Sequence, residues 1–281
     1  MKGAAIEVRS EKVTAQGVVA QRRNVPEEVP VAFVYDGTTH AVMMASPTDL
    51  EDFAVGFSLA ERIVEAPEEI ESLEVIEQDN GIELRMWLTA GRGRALVERR
   101  RSIAGPTGCG LCGLDSLEAA VPDCPRISSD LSVTADDIAA AMASLAPAQE
   151  LNRATHAVHG AGFWNRARGL VAISEDVGRH NALDKLVGKL RRSGVDAGDG
   201  LVLLTSRVSV EMVQKAALAN VPILVAVSAP TALALKTADL AGITLVAVAR
   251  ADGFEVFTHP QRISGLREPS VARKGAVEHA A

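Results

Sequence analysis

Cys109 and Cys112 stand three positions apart in the run Gly108-Cys109-Gly110-Leu111-Cys112-Gly113, a spacing that suits sulfur chemistry. Glycine lets the backbone turn sharply and keeps bulk away from both sulfurs. In such a turn two thiols can face one reactant. Just upstream, Glu98-Arg99-Arg100-Arg101 brings cations, which favour the thiolate, the form that attacks and that ligates metal. Three plainer readings stand beside this one. Half of a zinc site would need further ligands, and only Cys124 and the distant His156–His159 pair remain. A structural disulfide belongs to oxidising compartments, whereas three cysteines in 281 residues without a secretory leader point to a reducing one. The third is an inert glycine-rich turn. The arginine run alone reads as a solvated face, and Cys124 beside Pro125 as an ordinary half-buried thiol.

The elements that must hold this loop come in two groups. Residues 1–24 are polar and read as a loose N-terminus; residues 25–132 form an N-terminal α+β segment that ends in the cysteine loop. Within it, Val31–Val34 and Ala41–Met44 are strands about the hairpin signal Asp36-Gly37. Thr48-Asp49-Leu50-Glu51 reads as a capping box opening a helix to about Val64. A second hairpin joins Leu73–Glu77 to Ile82–Leu88 through Asp79-Asn80-Gly81, and an irregular stretch runs from about Gly91 to Ser132. Loops of that length tend to be functional or disordered.

From residue 133 to 265 strands and helices alternate. Thr134-Ala135-Asp136-Asp137 caps a helix to about Leu145. Strands follow at Gly169–Ile173, Leu201–Leu204, Ile223–Val227, Thr244–Ala249 and Glu255–Thr258, with helices at Asn181–Leu190, Ser209–Ala219 and Thr231–Leu240. The alternation predicts an α/β fold: a mixed, mostly parallel sheet with helices on both faces, beside the smaller N-terminal α+β segment. Residues 266–281 read as a disordered tail.

In such sheets ligands bind where strands end and helices begin. Three of those junctions are polar: Glu175-Asp176-Val177-Gly178-Arg179-His180-Asn181, Thr205-Ser206-Arg207-Val208-Ser209 and Val227-Ser228-Ala229-Pro230-Thr231. Free N–H groups at helix starts hold anions, and Arg179, His180, Ser206 and Arg207 would add donors. Taken singly, each junction reads as ordinary capping. Together with the cysteine loop, the three point to a large anionic ligand. His156 and His159 could share a helix face as metal ligands, although in an Ala/Val-rich segment satisfied core histidines are the commoner case.

Bulk composition narrows the function further. A net charge of −7 and 3 % aromatics argue against general nucleic-acid binding. No segment is apolar for long enough to span a bilayer, and the N-terminus lacks the apolar run of a signal peptide, so a cytoplasmic protein is expected.

The motifs also carry a resemblance. Gly108–Gly113 resembles the Cys-Gly-x-Cys-Gly loop of the FdhD family, sulfur carrier proteins needed for formate dehydrogenase activity. Glu175-Asp176-Val177-Gly178-Arg179-His180-Asn181-Ala182-Leu183-Asp184-Lys185 looks like that family's most distinctive motif. Ser206–Ala216, Val227–Thr231 and Thr258-His259-Pro260-Gln261-Arg262-Ile263 are similar to others, in the same order, so the resemblance runs from about Val29 to Ile263. It implies a cytidine deaminase-like core, a homodimer, and a sulfurtransferase. Such a protein takes sulfur from a cysteine desulfurase as a cysteine persulfide. It passes the sulfur to the molybdenum bis(molybdopterin guanine dinucleotide) cofactor destined for formate dehydrogenase. By position Cys109 would carry the persulfide and Cys112 would assist or resolve it. The cofactor would bind at Val248, Ala249, Arg250, Ala251, Asp252 and Gly253, with Arg179, His180, Ser206 and Arg207 as further candidates. No stoichiometric zinc, nucleic acid or membrane insertion is expected.

Three rivals remain. A zinc deaminase needs His-x-Glu before Pro-Cys-x-x-Cys, and here neither histidine is followed by that glutamate and the cysteines come first. A dithiol oxidoreductase usually opens a helix with its Cys-x-x-Cys. A non-enzymatic cofactor chaperone would need the strand-end site but not Cys109.

Overall fold

The computed structural model describes residues 3–94, 96 and 124–266. Cys109, Cys112, the arginine run before them and the tail after Leu266 lie outside the described residues. The chain begins with a hairpin of β1 (Ala5–Thr14) and β2 (Gly17–Pro26), where a loose terminus was expected. Polar composition hid it: alternation on a two-stranded ribbon with no core beneath it carries no apolar signature.

The first layer is a four-stranded sheet in the order β4-β3-β6-β5, built from β3 (Val29–Tyr35), β4 (Thr38–Ala45), β5 (Ile70–Gln78) and β6 (Gly81–Leu88). The Asp36-Gly37 turn is formed as its sequence predicts, both residues having left-handed φ (50° and 75°). Alternate residues Val31, Phe33 and Tyr35 of β3 and Leu84 and Met86 of β6 are buried against α1 (Leu50–Ala60). The Phe33 and Phe57 rings stack with centroids 4.0 Å apart. α1 ends at Ala60 rather than Val64, and its capping box does not form. Asp49 takes a left-handed φ of 50° without a side-chain cap, because its carboxylate is used by Lys189 Nζ at 2.9 Å. Residues 90–94 are helical rather than irregular.

The second layer follows β7 (Val133–Thr134), α2 (Ala135–Ala148) and the short α3 (Glu150–Thr155). Here the capping box is real: Thr134 Oγ1 accepts from the Asp137 amide at 3.1 Å, while Asp137 Oδ2 accepts from the Thr134 amide at 2.7 Å. β8 (His159–Asn165), β9 (Gly169–Asp176), α4 (Arg179–Arg192), β10 (Leu201–Leu204), α5 (Val210–Leu218), β11 (Ile223–Ala226), α6 (Ala232–Ala241), β12 (Thr244–Arg250) and β13 (Gly253–Val256) complete it, with β14 (Ile263–Ser264) paired to β7. The six-stranded sheet runs β13-β12-β11-β10-β8-β9.

This sheet is mixed but not mostly parallel. Only β10–β11 and β11–β12 are parallel, whereas β12–β13, β10–β8 and β8–β9 are antiparallel. β8 is the strand that the sequence reading lacked. It carries Gly160 and Gly162, poor strand formers. A Cβ on Gly160 would sit 2.7 Å from Gln149 Nε2, and one on Gly162 2.9 Å from Leu145 Cδ1. Close packing of the α2–α3 segment, rather than propensity, selects these residues. Helices do cover both faces. One face buries Val202, Leu204, Leu224 and Leu245 under α4, α5 and α6; the other buries Leu201, Leu203, Ile223 and Val225 under α2.

α4 joins the layers. Ala182, Leu183, Leu186 and Leu190 face the sheet. Asn181, Lys185, Gly188, Lys189 and Arg192, spaced along another stripe, face the first layer. Asn181 Nδ2 donates to Met44 O at 2.9 Å, and Lys185 Nζ to Ser46 O at 2.8 Å. Arg192 pairs with Asp52 and Glu51. α1 and α4 cross backbone to backbone: a Cβ on Gly56 would lie 1.8 Å from Asp184 O, and one on Gly188 1.9 Å from Asp52 O. Gly188→Ala must therefore part the two helices. Overpacking of this kind costs about 3 kcal/mol. Denaturant unfolding of the variant should show that loss, and a change under about 1 kcal/mol would contradict the crossing.

Candidate functional site

β9, β10, β11 and β12 all run the same way, so their carboxyl ends share one edge of the sheet, joined there by the start of β8 and of β13. The helices α4, α5 and α6 begin at this edge. The fold thus brings together the three polar junctions, the Val248–Gly253 turn and His159. Main-chain bonds lace them: Thr205 N donates to Gly160 O (3.1 Å), Val208 N to Ala229 O (3.3 Å), Thr231 N to Val208 O (3.0 Å) and Val248 N to Ser228 O (3.4 Å). Among the described residues, no group of three or more His, Cys, Asp or Glu side chains could hold a metal ion. His156 caps α3 with φ 54° while His159 begins β8, so the two do not share a helix face.

The Glu175–Lys185 segment does two jobs. Its buried half ties the layers. Asp176, fully buried, accepts from the Ser46 amide (2.9 Å), the Gly178 amide (2.7 Å), Asn181 Nδ2 (2.9 Å) and Lys185 Nζ (2.6 Å). Glu175 accepts the Leu151 and Asn152 amides, both at 2.8 Å, and so caps α3. Asp184 takes Lys215 Nζ on both oxygens, at 2.7 and 2.8 Å, which binds α4 to α5. Burial pushes the Asp184 carboxyl up to about 6, against the pull of Lys215.

The other half, Arg179 and His180, opens α4 at the edge. His180 Nε2 lies 3.5 Å from Glu211 Oε2, within ion-pair range but without hydrogen-bond alignment. Arg179 Nε, His180 Nε2 and Gln214 Nε2 are buried nitrogens with no hydrogen bond. Buried polar nitrogens without partners are costly. Burial, then the nearby Arg179 and Lys215 charges, hold the His180 imidazole at about 4 despite Glu211. Burial and Arg179 likewise lower His159.

A folded value below the free-histidine 6.5 means that the unfolded chain takes the proton first. The contribution of His180 to stability is then complete above about 6.5 and lost as pH falls toward 4. Histidine NMR should find His180 neutral throughout the neutral range and titrating near 4; an ordinary histidine midpoint would contradict the burial.

The remaining predicted residues fall as follows. Ser206 is buried and donates to Arg207 O at 3.0 Å, while Arg207 is exposed. Arg250, Ala251, Asp252 and Gly253 are exposed at the edge, but Ala249 is 2 % exposed and packs in the core beneath α2. Val248 has φ 52°, uncommon for a β-branched residue, at the irregularity between Ala247 and Arg250. Thr231 is an ordinary N-cap, accepting the Ala234 amide at 3.2 Å. Sequence reasoning passed over Glu211 and Gln214 as edge residues. The signal was there: with Lys215 they share one stripe of α5, the stripe that faces α4.

Cys109 and Cys112 lie outside the described residues, and the described residues nearest them in sequence are anchored. Leu96 is buried in the first-layer core, Cys124 packs half-buried against the second, and Ile127 N bonds Ala241 O at 2.8 Å.

Three comparisons bear on this arrangement. The FdhD/NarQ family model matches residues 26–264. A protein named sulfur carrier protein FdhD from Agrobacterium fabrum is 58 % identical over 242 residues, covering 86 % of this chain and 89 % of its own length. One of the same name from Brucella abortus is 55 % identical over 248 residues, covering 88 % and 92 %. Among solved structures, a Desulfotalea psychrophila protein provisionally described as a formate dehydrogenase accessory protein superposes with a TM-score of 0.74 at 26 % identity, over 93 % of this chain and all of that one.

Proposed function

The chain belongs to the FdhD/NarQ family, and we propose that it is a sulfur carrier serving formate dehydrogenase. The carrying observation is that one family match takes in both the cysteine loop and the whole strand-end edge, residues 26–264.

In this reading the Cys109 thiolate attacks the outer sulfur of a persulfide on a cysteine desulfurase. The donor's S–S bond breaks, its cysteine leaves as a thiolate, and a new S–S bond leaves the persulfide on Cys109. Cys112 assists the transfer or resolves it. The outer sulfur then passes to the molybdenum bis(molybdopterin guanine dinucleotide) cofactor, which is substrate and cargo rather than a resident group: the Cys109 S–S bond breaks, Cys109 leaves as a thiolate, and the reduced metal of that substrate would supply the two electrons that bring the sulfur to the sulfide level. The cofactor's length and its pyrophosphates suit an edge along which three helix N-termini, Arg179, His180, Arg207 and Arg250 are distributed. Val248–Gly253 would form the rim of the same site. The protein would work in the cytoplasm as a homodimer with a cytidine deaminase-like core; no described helix is long and apolar enough to cross a membrane.

The test is complementation. Expressed in a strain lacking its own sulfur carrier, the chain should restore formate dehydrogenase activity. Full expression without restoration, in a strain whose desulfurase is active, would contradict the proposal.

A further inference from the structure

The β1–β2 hairpin is an arm without a core. Its ten-residue strands reach ~33 Å, and they form a two-stranded sheet of their own, with no further strand on either edge among the described residues. At its base the ladder runs one step further, Glu27 N bonding Ala4 O at 2.9 Å, and the body is reached there by Arg23 Nη2, 3.5 Å from Thr155 O. Toward the tip Val13, Val18 and Val19 are 75 %, 61 % and 61 % exposed. A lone two-stranded ribbon is marginal in water, and an unpaired edge recruits another strand.

The charges say which edge recruits, and what. Strand β2 has Arg22 and Arg23, no acid, and a terminal Pro26 that lacks an N–H. A second copy of that edge would be repelled. Strand β1 alternates Glu7, Arg9, Glu11. A two-fold axis normal to the sheet keeps each side chain on its own face, so some residue must lie opposite itself. Two such registers overlap furthest. Centred on Arg9, pairing residues 5–13, the register sets Arg9 against the partner's Arg9 and Glu7 against the partner's Glu11. Centred on Ser10, pairing residues 6–14, it sets Arg9 against the partner's Glu11 twice over. Neither Arg9 nor Glu11 has an ion-pair partner among the described residues, whereas Glu7 is already held by Arg22.

We propose that β1 pairs antiparallel with β1 of a second copy, in the Ser10-centred register, giving the four-stranded ribbon β2-β1-β1-β2. This rests on the homodimeric reading and supplies its contact surface.

Sedimentation equilibrium of the full chain tests it. The wild type should be a dimer. Arg9→Glu and Glu11→Arg should each raise the dimer Kd by about tenfold or more, and the double variant R9E/E11R should restore it to within about threefold. Both sites are exposed, so folding is untouched, which circular dichroism checks. Residues directly opposite have Cα atoms ~4.5–5.5 Å apart, inside the span of a disulfide. Mild oxidation of Ser10→Cys should therefore cross-link two copies through the substituted position, as peptide mapping would show. A wild-type monomer would overturn both the contact and the dimer. A dimer indifferent to charge reversal, or one not rescued by the double variant, would overturn the contact and leave the dimer standing.

Discussion

Lys185→Met is expected to lose about 3–5 kcal/mol of folding stability, a large share of the ~5–15 kcal/mol that holds a domain together. Lys185 is completely buried. Its ammonium bonds Asp176 Oδ2 at 2.6 Å and Ser46 O at 2.8 Å, and lies 5.4 Å from the Phe53 ring centroid. Desolvation lowers its pKa, so the charge persists only because Asp176 faces it. Methionine keeps the stem but strands the Asp176 carboxylate among three remaining donors, with no counter-charge, and leaves Ser46 O without its donor. Breaking such a pair costs more than the pair is worth, because one charge stays buried. Adding Asp176→Asn should therefore recover part of the loss. Urea unfolding at neutral pH checks both variants; a loss under about 1 kcal/mol for the single change would show that the layers are held by the α1–α4 packing alone.

Cys109→Ala is expected to reduce restored formate dehydrogenase activity to the background of the empty strain. An alanine has no sulfur to carry, and in the proposed reading Cys112 assists the transfer rather than carrying the sulfur. Cys112→Ala should retain a measurable part, since an assisting thiol changes the rate of exchange rather than its possibility. Leu96 and Cys124, which anchor the ends of the segment in two different cores, are untouched by either change, so stability should stay within about 0.5 kcal/mol. Full activity in Cys109→Ala would favour a chaperone that delivers the cofactor without sulfur transfer.

Residues with local chemistry were legible in the sequence. Asp36-Gly37 gave its hairpin and Thr134–Asp137 its capping box; Leu201–Leu204 matched to the residue. What failed depended on distant partners. The Thr48–Glu51 signature is the same kind of motif as Thr134–Asp137, yet Asp49 answers to Lys189, across the layer joint. β8 was missed because its glycines answer to Gln149 and Leu145, and with it went the antiparallel half of the sheet. The site was legible in part. The strand-to-helix junctions named in the sequence do share one edge of the sheet, and Arg179 and His180 open α4 there. The same motif's Asp176, Asp184 and Lys185 turned out to be joints between elements, a division that spacing along one helix cannot reveal without knowing what packs on each side. Glu211 and Gln214 became edge residues only once α5 was laid beside α4.

The sulfur-carrier account is tested most directly by intact-protein mass spectrometry after incubation with a cysteine desulfurase and labelled cysteine, followed by peptide mapping. The account predicts one labelled sulfur on the peptide holding Cys109 and Cys112, lost on reduction and absent in Cys109→Ala. No label on that peptide, with the same desulfurase shown active on another acceptor, would contradict it.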